Sequence, residues 1–148
     1  MDLKGRNNTM SEFIPVPPFE MAVRVAASDI DDLDHVNNIV YVRWVQDVAK
    51  AHWFSAAPQE DQAGLVWMVV RHEVDYLSPA RLDDELVLKT WVGASAGLRF
   101  DRHTEITRVG DGKVLAKAKT IWVPIDPATG RPKRVPERVR KMFSVTPE

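Results

Sequence analysis

Residues 28–41 read Ser28-Asp29-Ile30-Asp31-Asp32-Leu33-Asp34-His35-Val36-Asn37-Asn38-Ile39-Val40-Tyr41. Four aspartates, one histidine and two adjacent asparagines lead straight into an apolar helical pattern. A strand gains little from so many Asp and Asn side chains. The start of a helix gains a good deal, because their oxygens accept from its unpaired N–H groups and its dipole favours negative charge. The same end binds a carboxylate, a phosphate or a developing oxyanion. Carboxylates and an imidazole beside it are parts for acid–base chemistry.

Working downstream, Arg43, Gln46, Asp47 and Lys50 recur at i, i+3, i+4 and i+7, one narrow polar stripe. Tyr41, Trp44, Val45, Val48 and His52 fall opposite, widened by Val40, Val42 and Ala49. This spacing predicts a helix over 37–54 that is buried on most of its circumference. Working upstream, Phe19, Met21, Val23 and Val25 alternate with Glu20 and Arg24, which predicts a strand over 19–27. Residues 1–18 read as an N-terminal tail, expected to be disordered, with Met10 an alternative start and Pro15-Val16-Pro17-Pro18 a stiff lead-in.

Beyond the helix, 56–64 reads as a polar loop around Pro58. Four strands follow, over 65–76, 85–92, 98–109 and 113–125. Leu86, Leu88, Thr90 and Val92 share one face of the second, and Gly110-Asp111-Gly112 marks a hairpin between the last two. Residues 126–132 carry turn chemistry, and Pro136 suits the first position of a short helix over 137–143. The order is strand, long helix, four consecutive strands. Meander connections make the strands antiparallel, and the long helix must cover one face of their sheet, an α+β domain over 19–148.

Composition narrows the function. The 148 residues suit one domain with one sizeable core, 45% apolar and 28% charged. A net charge of −1 provides no basic field for nucleic acid. Cysteine is absent, which removes disulfides, thiol nucleophiles and thiolate metal sites and fits a reducing compartment. No apolar run approaches the roughly 18 residues that span a membrane. His52, His72 and His103 form no ligand-like cluster, so no metal and no cofactor is expected. The expected setting is cytoplasmic.

Three motifs taken together resemble the hotdog-fold thioesterases of the 4-hydroxybenzoyl-CoA thioesterase-like group. They are Ser28-Asp29-Ile30-Asp31 with His35-Val36-Asn37-Asn38 and Tyr41, then Val74-Asp75-Tyr76-Leu77-Ser78-Pro79-Ala80-Arg81-Leu82-Asp83-Asp84-Glu85-Leu86, then the Thr129-Gly130-Arg131-Pro132 turn. The resemblance implies a curved antiparallel sheet wrapped round the long helix. It also implies a homodimer or homotetramer with sheets joined edge to edge and active sites at the dimer interface. The family's catalytic Asp falls on Asp31. The His-Val-Asn-Asn form is similar to plant acyl-carrier-protein thioesterases, whose functional His falls on His35. Those enzymes carry a functional Asn where this chain has Leu33, and an acidic residue near Pro79, so only Asp31 carries over without a gap.

Thioester hydrolysis needs an activated water or a carboxylate nucleophile, donors for the carbonyl oxygen, and room for the acyl group. Asp31 is base or nucleophile, or else a helix cap. Asp34 is an N-cap candidate and Asp29 a capping or solvated residue. His35 holds Asp31 or the water, or satisfies a loop carbonyl. Asn37, Asn38 and Tyr41 are substrate-binding candidates against cap, turn and core roles. Trp44, Trp53, Trp67 and Met68 line an acyl pocket or the core. Arg99, Arg102, Arg108, Lys117 and Lys119 meet coenzyme A phosphates or form a solvated sheet edge. The expected function is hydrolysis of an acyl-CoA to free acid and thiol. The alternatives are an acyl-carrier-protein thioesterase, or an acyl-thioester binding protein that would not need Asp31. Hydration or dehydration of acyl thioesters on this fold uses another residue setting.

Overall fold

The computed structural model describes residues 16–143. The expected tail therefore lies outside the described residues up to residue 15, as does the end of the chain from 144. Strand β1 is Phe19–Arg24 and is followed by one turn of 3-10 helix at Ala27–Asp29. Helix α1 is Asn38–Ala56, α2 Gln59–Gly64 and α3 Glu137–Phe143. Strands β2 to β5 are Val66–Tyr76, Glu85–Ala96, Arg99–Arg108 and Val114–Ile125. The strands form one sheet in the order β1-β3-β4-β5-β2, every pairing antiparallel, with α1 against it: the expected hotdog arrangement. Among the described residues, no helix is long and apolar enough to cross a membrane.

Two expectations change. The meander holds only for β3, β4 and β5, because β2 pairs with β5 at the far edge. The segment after β2 is drawn across the sheet's end instead of turning back. Leu77 and Ser78 donate to the carbonyl of Leu115 on β5, then Val36 donates to Ala80, and Val25 beyond β1 donates to Asp84. The next strand consequently starts beside β1. The loop expected over 56–64 is largely helical. Gln62 donates to the carbonyls of Phe54 and Ala57 at 3.2 and 2.8 Å, satisfying acceptors that the end of α1 leaves open. Buried Asp61 takes a two-pronged contact from Arg138 at 2.9 and 3.0 Å.

Helix α1 is buried as its pattern requires. Tyr41, Trp44, Val45, Val48 and Trp53 lie inside, and Arg43, Asp47 and Lys50 are exposed. Ile39 and Phe54 break the stripe at either end, at 75% and 60% exposure.

The interior divides into two apolar clusters. One gathers Val40, Tyr41, Trp44 and Val48 with Leu86, Leu88, Ile106 and Leu115. The other gathers Trp53, Leu65, Val92, Phe100, Trp122, Val139 and Phe143. A polar seam crosses the sheet between them: Thr90 between Leu88 and Val92, Arg102 and Thr104 between Phe100 and Ile106, Thr120 before Trp122. His52 meets the seam from α1 through Arg102.

Candidate active site

The site begins where the two long motifs touch. Val36 donates to the Ala80 carbonyl, and the Ala80 N–H donates to the Tyr41 hydroxyl at 2.9 Å. Residues some forty positions apart are thus locked at the start of α1. Tyr41 is buried, and burial raises its hydroxyl above the ordinary phenol range against the smaller opposing effect of the Ala80 bond. Tyr41 is therefore placed at the joint between the loops, its hydroxyl bonded to the Ala80 N–H. Its neighbour Tyr76 donates to the Asn38 carbonyl at 3.1 Å and tethers the end of β2 to the same helix start.

Asp31 and His35 close a small loop through their backbones. The Asp31 N–H donates to the His35 carbonyl at 2.8 Å, and Asp31 Oδ1 accepts from the N–H of Leu33 at 2.9 Å and of His35 at 3.4 Å. Asp31 Oδ2 is not engaged in the loop, and among the described residues no hydrogen bond joins the His35 ring to the Asp31 carboxylate. Both residues are half-buried.

The cap expected at Asp34 is supplied instead by Asn37, whose Oδ1 accepts from the Ile39 N–H at 3.0 Å. Asp34 has φ of 61°, a left-handed turn conformation that cannot lead into the helix and that Asp tolerates better than most residues. Asn38 is exposed, and its N–H has no acceptor among the described residues.

Asp29, expected to be a cap or solvated, is a cap, of the 3-10 turn at Ala27–Asp29, and is buried, not solvated. It accepts from Arg43 Nη2 and from the Ala26 N–H, both at 2.9 Å. Its position before the helix did not reveal this; Arg43, one residue of an exposed stripe, reaches back to it. The opposite loop is held likewise, Asp84 accepting from the Arg81 N–H and from Arg108.

The basic residues on the strands do not share a face. Arg102 points inward and is buried. Arg108 is occupied by Asp84 and Asp111, and its hydrogen bonds to Asp111 lead the effects that raise its pKa. Lys119 pairs with Asp101. Phe100, Arg102, Thr104 and Ile106 alternate as one inward set, so Arg102 could not join the outward lysines.

A cavity of about 190 Å³ opens at the other end of α1, between α1, the sheet and α3. Trp53 and Trp67 are on its wall, as two of the candidate acyl-pocket residues. Trp44 lies in the other core cluster and Met68 is 49% exposed at the sheet edge, so neither reaches it. From Asn38 to Trp53 the helix advances about 22 Å at 1.5 Å per residue. The Asp31 loop and the cavity of one chain therefore lie at opposite ends of the same helix.

A family model described as the thioesterase-like superfamily matches residues 25–143. The chain belongs to this superfamily. It is 29% identical over 130 residues to the acyl-CoA thioester hydrolase YbgC of Escherichia coli, covering 84% of this chain and 95% of that one. It is 30% identical over 87 residues to the chloroplastic palmitoyl-acyl carrier protein thioesterase of Gossypium hirsutum, covering 59% of this chain and 21% of that one. The chain thus spans about a fifth of the length of that plant relative. A solved thioesterase from Thermus thermophilus, in complex with coenzyme A and Zn, superposes with a TM-score of 0.73 at 28% identity, over 85% of this chain and 97% of that one.

Proposed function

We propose that the protein is an acyl-CoA thioesterase, hydrolysing an acyl thioester to free acid and coenzyme A thiol. The observation that carries this reading is the joining of the Asp31–Asn38 loop to the Ala80 loop at the start of α1. One carboxylate oxygen of Asp31 is tied down there while the other is left for chemistry. Asp31 acts as base toward water or as nucleophile. The N–H of Asn38, at the positive end of a 19-residue helix, stabilises the carbonyl oxygen as it gains charge. His35 and Asn37 border the same loop as positioning groups, and Tyr41 acts through Ala80. A coenzyme A substrate fits a cytoplasmic setting.

The working unit in this reading is a homodimer joined along β2. This 11-residue edge strand carries Val66, Met68 and Val70 at 47, 49 and 44% exposure. A long apolar edge of this kind invites a second strand. Two-fold antiparallel pairing brings the partner's Tyr76 end to this chain's Val66 end. Tyr76 is tied to Asn38, so the partner's Asp31 loop arrives beside Val66 and Trp67, which border the cavity. Acyl pocket and reacting carboxylate then come from different chains.

Free thiol release by the purified protein from a panel of acyl-CoAs tests the activity. No release from any member would sink it. An acyl-carrier-protein thioesterase is the second reading, favoured by the His35-Val36-Asn37-Asn38 match to plant enzymes. We expect the CoA thioester to be the better of a matched pair, since a net charge of −1 provides no basic field for an acidic carrier. Far faster hydrolysis of the carrier-protein thioester reverses that order.

A further inference from the structure

The cavity wall is largely apolar and aromatic, with Lys50 and Gln62 at its rim and two buried arginines, Arg102 and Arg140, in its lining; Arg140 is paired with Glu137 and bonded to Ser95 and to the Gly97 carbonyl. Trp53, Trp67, Phe100, Trp122 and Phe143 surround it, and Arg102 lies among them at 7% exposure. Arg102 uses one nitrogen: Nη1 donates to His52 Nδ1 at 3.0 Å and to Thr90 Oγ1 at 3.1 Å. Its Nε and Nη2 have no acceptor, and it makes no ion pair, among the described residues. A guanidinium can only donate, so His52 Nδ1 is the bare nitrogen and its proton sits on Nε2. His52 is uncharged in that form and offers Arg102 no counter-charge. The indole N–H groups of Trp67 and Trp122 are likewise buried without an acceptor. The cavity is therefore surrounded by more donors than acceptors and by an uncompensated positive charge.

A buried guanidinium with no counter-charge among the described residues is an expensive thing to keep. Replacing buried charges with apolar side chains of similar volume is often neutral or stabilising. Nothing in the packing of the seam needs a charge there, since the threonines already pair with one another and with backbone. What the guanidinium does offer is a two-pronged donor for a carboxylate or another oxygen, already desolvated and held in place by His52 and Thr90. The size is right for a ligand, as a dry protein cavity of about 150 Å³ already holds a benzene ring.

We propose that this cavity takes the far end of the acyl group and that Arg102 reads an oxygen acceptor there. The preferred substrates are apolar acyl groups that end in an oxygen function, a carboxylate in its strongest form, instead of a methyl group. The inference rests on the thioesterase reading, with the thioester held at the partner's Asp31. An acyl group with a methyl end leaves the Arg102 donors unpaired, and that omission is what a site built round a hydrogen bond rejects.

Two probes that differ only at the far end test it: methyl octanoate and monomethyl octanedioate. Their binding to the full-length protein is followed by tryptophan fluorescence and calorimetry, with no hydrolysis needed. The wild-type protein should bind monomethyl octanedioate at least tenfold more tightly. Arg102→Met should erase that preference, and Arg102→Lys should retain part of it. The ratio of kcat/KM for the matched CoA thioesters should move the same way. Equal affinity in the wild type, failure of both probes to bind, or a preference that survives Arg102→Met overturns the proposal. Brisk thiol release with equal probe affinity overturns the Arg102 assignment alone. A clear probe preference with no thiol release from any acyl-CoA overturns the thioesterase reading and leaves an acid-binding pocket.

Discussion

Asp29 Oδ1 lies 2.9 Å from Arg43 Nη2, and this contact pins the approach to α1 against the second turn of the helix. The same side chain accepts from Ala26, and the Asp29 carbonyl accepts from the N–H of Asn37, the N-cap. Two residues on, the chain reaches Asp31. The geometry of the candidate base thus depends on a buried neighbour two residues away. Asp29→Ala should destabilise the fold by roughly 2–3 kcal/mol, the range for losing a buried charged acceptor, and should lower kcat through a loosened loop. Arg43→Ala should have a smaller effect, because Arg43 is 55% exposed and solvent screens it. Urea unfolding of both variants and the double variant checks this, and additive effects would show that the pair is not coupled.

Asp31→Asn should remove most turnover while folding and assembly persist. Asn Oδ1 can still accept from Leu33 and His35, so the loop keeps its shape. It cannot act as base or carboxylate nucleophile, and a lost positioned base alone lowers the rate by about 10²–10⁴. His35→Ala should lower it less, since the ring makes no hydrogen bond to the carboxylate. Thiol-release rates beside melting curves distinguish the outcomes. A near wild-type rate would move attention to Asp47, which lies on the exposed stripe of α1.

Tyr41→Phe should separate the two loops without emptying the core. The ring stays packed edge-on against Trp44 and Tyr76, but the buried Ala80 N–H loses its acceptor. An unsatisfied buried donor costs about 1–3 kcal/mol. Thermal unfolding should show that loss, and hydrogen exchange should show faster opening at Ala80 than in β3. An unchanged melting temperature would mean that a water takes over the bond.

Acid should weaken the seam through His52. Burial, then the charge of Arg102, lowers its pKa to about 4 from an ordinary 6.5. Between those values the unfolded chain binds a proton that the fold refuses. The contribution of neutral His52 is therefore complete above about pH 6.5 and is lost as pH falls toward 4, with about 2 kcal/mol gone by pH 5. His72, also lowered by burial, acts in the same direction. His52→Asn keeps an acceptor for Arg102 and does not titrate. Its melting temperature should fall less than that of the wild type between about pH 7.5 and pH 5, and an equal fall in both would assign the acid sensitivity elsewhere.

Light scattering at micromolar concentration should find a dimer or a tetramer. Val70→Lys should shift it toward monomer, because an edge lysine opposes strand pairing. Thiol release should fall with the dimer fraction if pocket and carboxylate come from different chains. A single species near the chain mass of 16.8 kDa in the wild type would rule out the shared site.

The element types were legible because they rest on local periodicity. The stripe Arg43, Gln46, Asp47, Lys50 identifies a buried helix, and Leu86, Leu88, Thr90, Val92 an inward strand face, before any neighbour is known. Pro136 and Glu137 mark the start of α3 for the same reason. The Asp- and Asn-rich stretch before α1 is also local chemistry, and the cap was found there, at Asn37 instead of Asp34. A backbone angle decided between those two, and both residue types cap well.

What only the tertiary structure decided is which residues meet. Periodicity has no term for a contact between Val36 and Ala80, and it cannot tell that the segment after β2 crosses to the β1 edge. It read Asp29 as a capping or solvated residue and missed its burial, because the partner, Arg43, arrives from a helix face that is otherwise wet. It grouped Arg102 with surface cations because charge, taken alone, favours water. Strand alternation had already turned Arg102 inward with Phe100 and Thr104, and the helix that brings His52 over it holds it there. The sequence by itself determined the five strands, the long helix and α3, and placed the Asp- and Asn-rich stretch at the head of α1, while α2 was read as a loop. The pairing of distant segments decided where a charge could be buried, and so where a ligand could answer it.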